Sequence, residues 1–234
     1  MYSNQILNKI ALALDFSTKE EVVKLLEELN PKPKILKIGL QLISSLGIKE
    51  AVVLLKQLCP SASIFLDLKL YDIPNTISKA IENFKNLEID YLTVHILGGH
   101  KMLKQALKAS ENKVNLVGVS ILTSYSEEEF SNSFFHPANE LKTITLKLCE
   151  LAVSAGLNWI VASPQESVFI KERFKDLKII TPGIRLTESN IGDQQRIDTP
   201  RSAIEKGSDM LVIGRPIYSA KNPNEIWEKV LSLY

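Results

Sequence analysis

The segment Asp67-Leu-Lys-Leu-Tyr-Asp72 places two carboxylates and an ammonium within six residues, at the end of the apolar run Ile64–Leu70. That run reads as a buried strand. Residues two apart on a strand share a face, so Asp67 and Lys69 are expected to point one way and Leu66, Leu68 and Leu70 the other. Charged side chains are rarely buried without partners. An ammonium fixed beside a carboxylate at a strand end can stay cationic, stabilise negative charge on a bound molecule and donate a proton to it. Pro74 disfavours helix at Ile73, so the strand should end and turn there. On this segment alone a structural salt bridge at the strand end is an equally good reading.

The elements that must position these groups alternate along the chain. Strands are predicted over Ile10–Phe16, Ile35–Leu40, Ile64–Leu70, Tyr91–Ile96, Leu116–Ile121, Trp159–Ala162, Ile179–Pro182 and Met210–Ile213. Helical patterns lie between them. Ser17-Thr-Lys-Glu20 resembles a capping box ahead of Val22, Leu25, Leu26 and Leu29. Ile77, Ala80, Ile81 and Phe84 form one apolar stripe, and Met102, Leu103, Ala106 and Leu107 another. Thr199-Pro200 reads as a helix start and Gly207 as its stop. Eight such units without a linker or low-complexity segment predict one α/β domain over residues 1–234, a (β/α)8 TIM barrel. A doubly wound open sheet is the competing arrangement. The count of eight, and the lack of a glycine-rich dinucleotide fingerprint after the first strand, favour the barrel.

In a barrel of this kind the chemistry sits at the C-terminal ends of the strands, and the unusual polar residues fall there. Asp15 ends the first strand, Lys37 lies within the second, Asp67 and Lys69 end the third, and His95 ends the fourth. Thr123 follows the fifth, Thr181-Pro-Gly-Ile-Arg185 ends the seventh, and Gly214-Arg215 ends the eighth. Asp15, Lys37, Asp67, Lys69 and Asp72 would form an alternating network of ammoniums and carboxylates. The alternative is an ion-pair cluster closing the barrel mouth. Gly183, Arg185, Gly214 and Arg215 fit a phosphate site, because glycine permits close backbone approach and arginine offers a planar two-pronged contact. A glycine-rich turn with a solvated arginine is the plainer reading. The polar loop Leu186–Thr199 has the length of a lid, and Thr123–Pro137 could also cover the mouth. His95 reads equally as a core residue or a ligand contact, and Trp159 and Trp227 as packing residues.

Composition narrows the function classes. The chain has 234 residues, 45% hydrophobic and 24% charged, with a formal net charge of +1. That balance argues against a basic nucleic-acid surface. No apolar run approaches a membrane span and no signal-peptide pattern opens the chain. Cys59 and Cys149 are too few and too isolated for a disulfide framework or a zinc site, and His95, His100 and His136 lack metal-ligand spacing. A cytoplasmic protein without a metal site is expected.

Ala13-Leu-Asp-Phe16, Leu36-Lys-Ile-Gly39, Asp67-Leu-Lys-Leu-Tyr-Asp-Ile-Pro-Asn-Thr76, Thr93-Val-His95, Thr181-Pro-Gly-Ile-Arg185, Gly192-Asp-Gln194 and Ile213-Gly-Arg-Pro216 together resemble the orotidine 5′-phosphate decarboxylase family, in its bacterial form. The resemblance runs nearly end to end. It implies a homodimer of (β/α)8 barrels that converts orotidine monophosphate to UMP and CO2, the last step of pyrimidine nucleotide synthesis, with no cofactor. By motif position it makes Lys69 the proton donor to C6 of the pyrimidine and sets Asp67 beside the departing carboxylate. Asp72 and Thr76 would reach into the neighbouring subunit's site. Asp15 and Lys37 would hold the ribose hydroxyls, Thr123 would contact the pyrimidine end, and Arg185, Gln194, Gly214 and Arg215 would bind the phosphate end.

Two other classes stay in view. Sugar-phosphate enzymes of the same superfamily, such as 3-keto-L-gulonate 6-phosphate decarboxylase and hexulose-phosphate synthase, share the Asp-x-Lys-x-x-Asp block but bind magnesium through a glutamate after the second strand. Lys37 stands on the corresponding strand here and would repel the metal. A catalytically silent nucleotide-binding barrel would have little need of Lys69 with all its carboxylate neighbours.

Overall fold

The apolar runs pair side by side, in chain order and all parallel, into a closed barrel. The computed structural model describes residues 4–186 and 198–232. The strands are β1 (Ile10–Ala13), β2 (Ile35–Gly39), β3 (Ser63–Leu70), β4 (Tyr91–His95), β5 (Asn115–Val119), β6 (Trp159–Val161), β7 (Lys178–Thr181) and β8 (Met210–Ile213). β8 returns to β1 with Ile10 opposite Leu211, which closes the ring and excludes the open sheet. Most strands stop one to three residues short of the predicted ends. Leu40 opens a helix and Ile96 a 3-10 turn instead. Asp15 accordingly lies two residues beyond β1.

Side-chain alternation decides which residues reach the site. Leu12, Leu36, Ile64, Leu92, Ile160 and Leu211 point outward and are fully buried beneath the helices. Ala11, Ile35, Phe65, Val117, Trp159 and Met210 have the opposite parity and pack together inside the barrel, with Tyr91 against Phe65 and Trp159. Both faces are buried, so the strands read as nearly continuous apolar runs. The inner cluster is a floor, and Lys37, Asp67 and Thr93 stand on it one inward position further along β2, β3 and β4. Trp159 belongs to that floor. Trp227 is buried on the outside, where its indole N–H donates to the Pro31 carbonyl at 2.7 Å.

Local signals set the ends of the helices, one of them a single residue from where the sequence suggested. The capping box ahead of the helix Lys19–Glu28 is built by Thr18 and Glu21, not Ser17 and Glu20: the Thr18 hydroxyl accepts from the Glu21 N–H and the Glu21 carboxylate accepts from the Thr18 N–H. Pro74 opens the helix Pro74–Phe84 at its first position, where a missing N–H costs nothing, so the turn after β3 is confined to residues before it. The stretch Thr123–Pro137 contains the helix Glu127–Phe134, capped reciprocally by Ser126 and Glu129. Thr199 caps the helix Pro200–Glu205, and Gly207 follows it at φ +102°, as expected for a helix stop.

Candidate active site

A cavity of about 360 Å³ opens at the C-terminal ends of the strands. Ala13, Lys37, Val119, Val161 and Val212 line it with the inward parity of the floor. Asp15, Thr123, Arg185, Gly214 and Arg215 reach it from the loops that follow the strands.

One wall carries the charges. Asp67 stands between two ammoniums: Lys69 Nζ lies 2.9 and 3.0 Å from its two oxygens, and Lys37 Nζ lies 3.6 Å from Oδ2. Lys37 also reaches Asp15 Oδ1 at 3.2 Å, so the array runs Asp15, Lys37, Asp67, Lys69. The Lys37 side chain is 10% exposed and the Lys69 side chain 41%, so Lys37 is the buried brace and Lys69 faces the cavity's solvent. Burial pushes the Asp67 carboxyl upward. The Lys37 and Lys69 ammoniums, with hydrogen bonds from Lys69 and Thr93, outweigh it and hold the group below its ordinary value. Asp67 is therefore a fixed negative charge at neutral pH.

Lys69 does not reach Asp67 by simple alternation. The β3–β4 register pairs Leu66 with Leu92 and then Leu70 with Val94, so four residues of one strand span two of the other. Lys69 sits within this irregularity at φ +50°, in the left-handed region. A non-glycine residue there carries a conformational cost of order 1–2 kcal/mol. Its N–H donates to the Thr93 hydroxyl at 2.7 Å, and that hydroxyl donates to Asp67 Oδ1 at 3.0 Å. Thr93 is a site residue that nothing in its residue type singles out. Its inward parity with Tyr91 was the available signal.

The opposite wall is cationic. Gly183 has φ +78°, a conformation that favours glycine, and it turns the chain after β7 so that Arg185 lines the cavity. Arg185 is buried at 8% exposure. Its N–H donates to the Asp198 carbonyl at 2.9 Å and its Nη1 to the Ile184 carbonyl. Gly214 lets β8 close on β1: a Cβ there would meet Ala13 Cβ at 3.0 Å. Arg215 follows and borders the same cavity.

Asp15, Lys37, Asp67, Lys69, Thr123, Arg185, Gly214 and Arg215 thus line one cavity. Asp72 and Thr76 do not. Both are exposed on the lip, where Asp72 Oδ1 accepts from the Ile73 N–H at 2.6 Å, so within one chain Asp72 stands apart from the charge array. Gln194 and most of the loop Leu186–Thr199 lie outside the described residues. His95 has a buried Nδ1 without a hydrogen-bond partner among the described residues, and its ring lies 5.6 Å from that of Tyr71. Burial, then the Lys69 ammonium, pushes its pKa down, so it is neutral at pH 7. Neither cysteine is a nucleophile: both are buried and free, and burial drives the Cys149 thiol up to about 12. Among the described residues no three His, Cys, Asp or Glu side chains are grouped to hold a metal ion, and no helix is long and apolar enough to cross a membrane.

A parallel (β/α)8 barrel with a lysine–carboxylate array and an arginine-bearing wall facing each other across its C-terminal mouth defines a barrel enzyme. Residues 8–230 match the model of the orotidine 5′-phosphate decarboxylase / HUMPS family. The chain is 40% identical over 232 residues to orotidine 5′-phosphate decarboxylase of Dictyoglomus turgidum, covering 95% of this chain and 93% of that one. It is likewise 40% identical over 227 residues to the enzyme of that name from Wolbachia pipientis of Culex pipiens, covering 96% and 98%. The crystal structure of orotidine 5′-phosphate decarboxylase from Lactobacillus acidophilus superposes with a TM-score of 0.79 at 31% identity, over 95% of this chain and 97% of that one. The chain belongs to this family.

Proposed function

We propose that the chain decarboxylates orotidine 5′-phosphate to UMP and CO2, the final step in making the pyrimidine nucleotide, without metal or organic cofactor. The observation that carries this reading is the Lys69 ammonium held on Asp67 at 2.9 and 3.0 Å at the mouth of the cavity. Breaking the C6–carboxylate bond leaves its electron pair on C6, where the pyrimidine ring delocalises it poorly. A fixed ammonium stabilises that charge as it develops and then transfers a proton to C6. Lys69 recovers its proton from solvent. Asp67 keeps the ammonium in place and sits beside the departing carboxylate, and Lys37 braces Asp67 against Asp15. Asp15 and Lys37 hold the ribose hydroxyls, and Thr123 contacts the pyrimidine.

At the far wall Arg185, Gly214 and Arg215, with Gln194, take the phosphate. Contacts remote from the breaking bond can supply binding energy that is realised only in the transition state. The sugar-phosphate branch of the superfamily binds magnesium through a glutamate after the second strand, and the corresponding strand here carries Lys37. The Lys37 ammonium lies 3.2 Å from Asp15 and 3.6 Å from Asp67, where its charge would repel a divalent cation.

The working form is a homodimer in which Asp72 and Thr76 complete the partner's site. This is supported by the exposed apolar residues Leu40, Tyr71, Ile73 and Leu97, which follow the neighbouring strands β2, β3 and β4, with Tyr71 and Ile73 flanking Asp72 in the chain. Clustered exposed apolar side chains mark interaction surfaces. Two buried free thiols and a net charge of +1 suit a cytoplasmic enzyme with a small-molecule substrate and neither nucleic-acid nor membrane partners.

The test is direct. Purified protein is incubated with orotidine 5′-phosphate in EDTA, and loss of the orotate chromophore is followed with identification of UMP. Activity unaffected by EDTA is expected. Activity abolished by EDTA and restored by magnesium would favour the sugar-phosphate reading.

A further inference from the structure

We infer that Thr93 is a positioning residue for the decarboxylation chemistry: its hydroxyl locks the left-handed backbone at Lys69 to the carboxylate of Asp67, so that ammonium and carboxylate are presented as one rigid pair. This rests on the reading of Lys69 and Asp67 given above.

The hydrogen-bond roles leave the hydroxyl no choice. The Lys69 amide can only donate and the Asp67 carboxylate can only accept. At 2.7 Å from the one and 3.0 Å from the other, the Thr93 hydroxyl must accept from the first and donate to the second. Its rotor is thereby fixed. Both contacts are part-buried, Thr93 itself is fully buried, and it does not line the cavity. It therefore acts through its neighbours rather than on a substrate.

The local backbone explains why such a group is needed. Where β3 slips by two residues against β4, Lys69 is out of register with the ladder. A strand N–H left without a partner is costly, and the Thr93 side chain supplies this part-buried N–H with the acceptor that the neighbouring strand's backbone does not. The same bond holds Lys69 at φ +50°, from which its side chain turns back onto Asp67. A serine could make both bonds. A valine has the shape of threonine and can make neither.

The test compares Thr93→Val, Thr93→Ser and Thr93→Ala by kcat, KM, UMP binding and a ¹³C titration of the Asp67 carboxyl in the absence of substrate. Thr93→Val should lower kcat on the order of 100-fold, the scale of a misplaced reacting group. KM and UMP affinity should change by less than about threefold, because binding contacts are spared. Thr93→Ser should retain kcat within about threefold. The Asp67 carboxyl should titrate at higher pH in Thr93→Val and Thr93→Ala than in the parent, and be restored in Thr93→Ser. If Thr93→Val fails to fold, the Ser and Ala variants, which differ only in the hydroxyl, decide the matter. Equal kcat and equal Asp67 titration in the variants with and without the hydroxyl would overturn the inference. The titration is read without substrate, so it stands or falls independently of which phosphorylated compound the enzyme consumes.

Discussion

Neutralising Asp67 tests the charge array most severely, because two ammoniums depend on it. In Asp67→Asn the contacts at 2.9 Å to Lys69 and 3.6 Å to Lys37 lose their charge. At an effective dielectric of about 20, unit charges at those separations attract by about 5 kcal/mol each. The Lys69 share is smaller, because that side chain is 41% exposed and solvent screens it toward the about 1 kcal/mol of a surface pair. Lys37 is 10% exposed and among the described residues retains only Asp15, itself 42% exposed. Against this loss stands the desolvation of Asp67, which neutralisation relieves by several kcal/mol. The balance falls near the lower end of the range for stranding a buried charge, about 3 kcal/mol.

For a chain of this size that corresponds to a fall in melting temperature of roughly 6–12 °C. Lys69→Ala leaves Asp67 facing Lys37 and should cost less than about 1 kcal/mol. Melting curves and guanidinium midpoints at one protein concentration measure both. An Asp67→Asn protein as stable as the parent, or less destabilised than Lys69→Ala, would refute the assignment of Asp67 as the shared counter-ion.

Three further outcomes are expected. The folded Asp67 carboxyl lies below the about 3.9 of an unfolded aspartate, so its contribution to stability is complete above that value and disappears only as the pH falls through the folded one; a ¹³C titration placing it above about 4 contradicts this. Arg215→Ala should weaken binding of orotidine 5′-phosphate by about 2–5 kcal/mol and that of orotidine far less, and equal losses for both would place Arg215 outside the phosphate contacts. Mixing inactive Lys69→Ala with inactive Asp72→Ala subunits should restore activity, because one site of each heterodimer then carries both lesions and the other neither; no recovery despite demonstrated subunit exchange removes Asp72 from a shared site.

The barrel was legible because its strands are buried on both faces and separated by capped amphipathic helices, so apolar runs and turn chemistry alone counted eight units. The array Asp15, Lys37, Asp67 and Lys69 was legible for a related reason: an ionisable residue inside an apolar strand conflicts with burial and announces itself. The bulge at Lys69 left no such mark. A lysine at positive φ has no sequence signature, and strict alternation predicts the same neighbours for Asp67 by a different geometry. Thr93 was overlooked because a threonine in a strand is unremarkable until its hydroxyl is seen between an amide and a carboxylate. The capping box at Thr18 and Glu21 was displaced by one residue, since Ser17-Thr-Lys-Glu20 and Thr18-Lys-Glu-Glu21 satisfy the same pattern and only the path of the chain leaving β1 chooses between them. Asp72 and Thr76 sit on the lip, where one chain's sequence and fold alone assign them no contact with the cavity.

The central claim is that Lys69 carries the proton to the pyrimidine, and the turnover of Lys69→Ala tests it most directly. The variant should keep its circular dichroism spectrum and bind UMP, since Lys69 is a partly exposed side chain at the mouth and lies outside the floor and the helix-facing core. Turnover of orotidine 5′-phosphate should fall by at least roughly 10²–10⁴-fold, the contribution of a positioned proton donor. Thr123, Arg185 and Arg215, the proposed nucleotide contacts, remain in place along the cavity, so the loss should appear in kcat rather than in binding. A folded, UMP-binding Lys69→Ala enzyme with near-native turnover would contradict the account and assign the proton to another group.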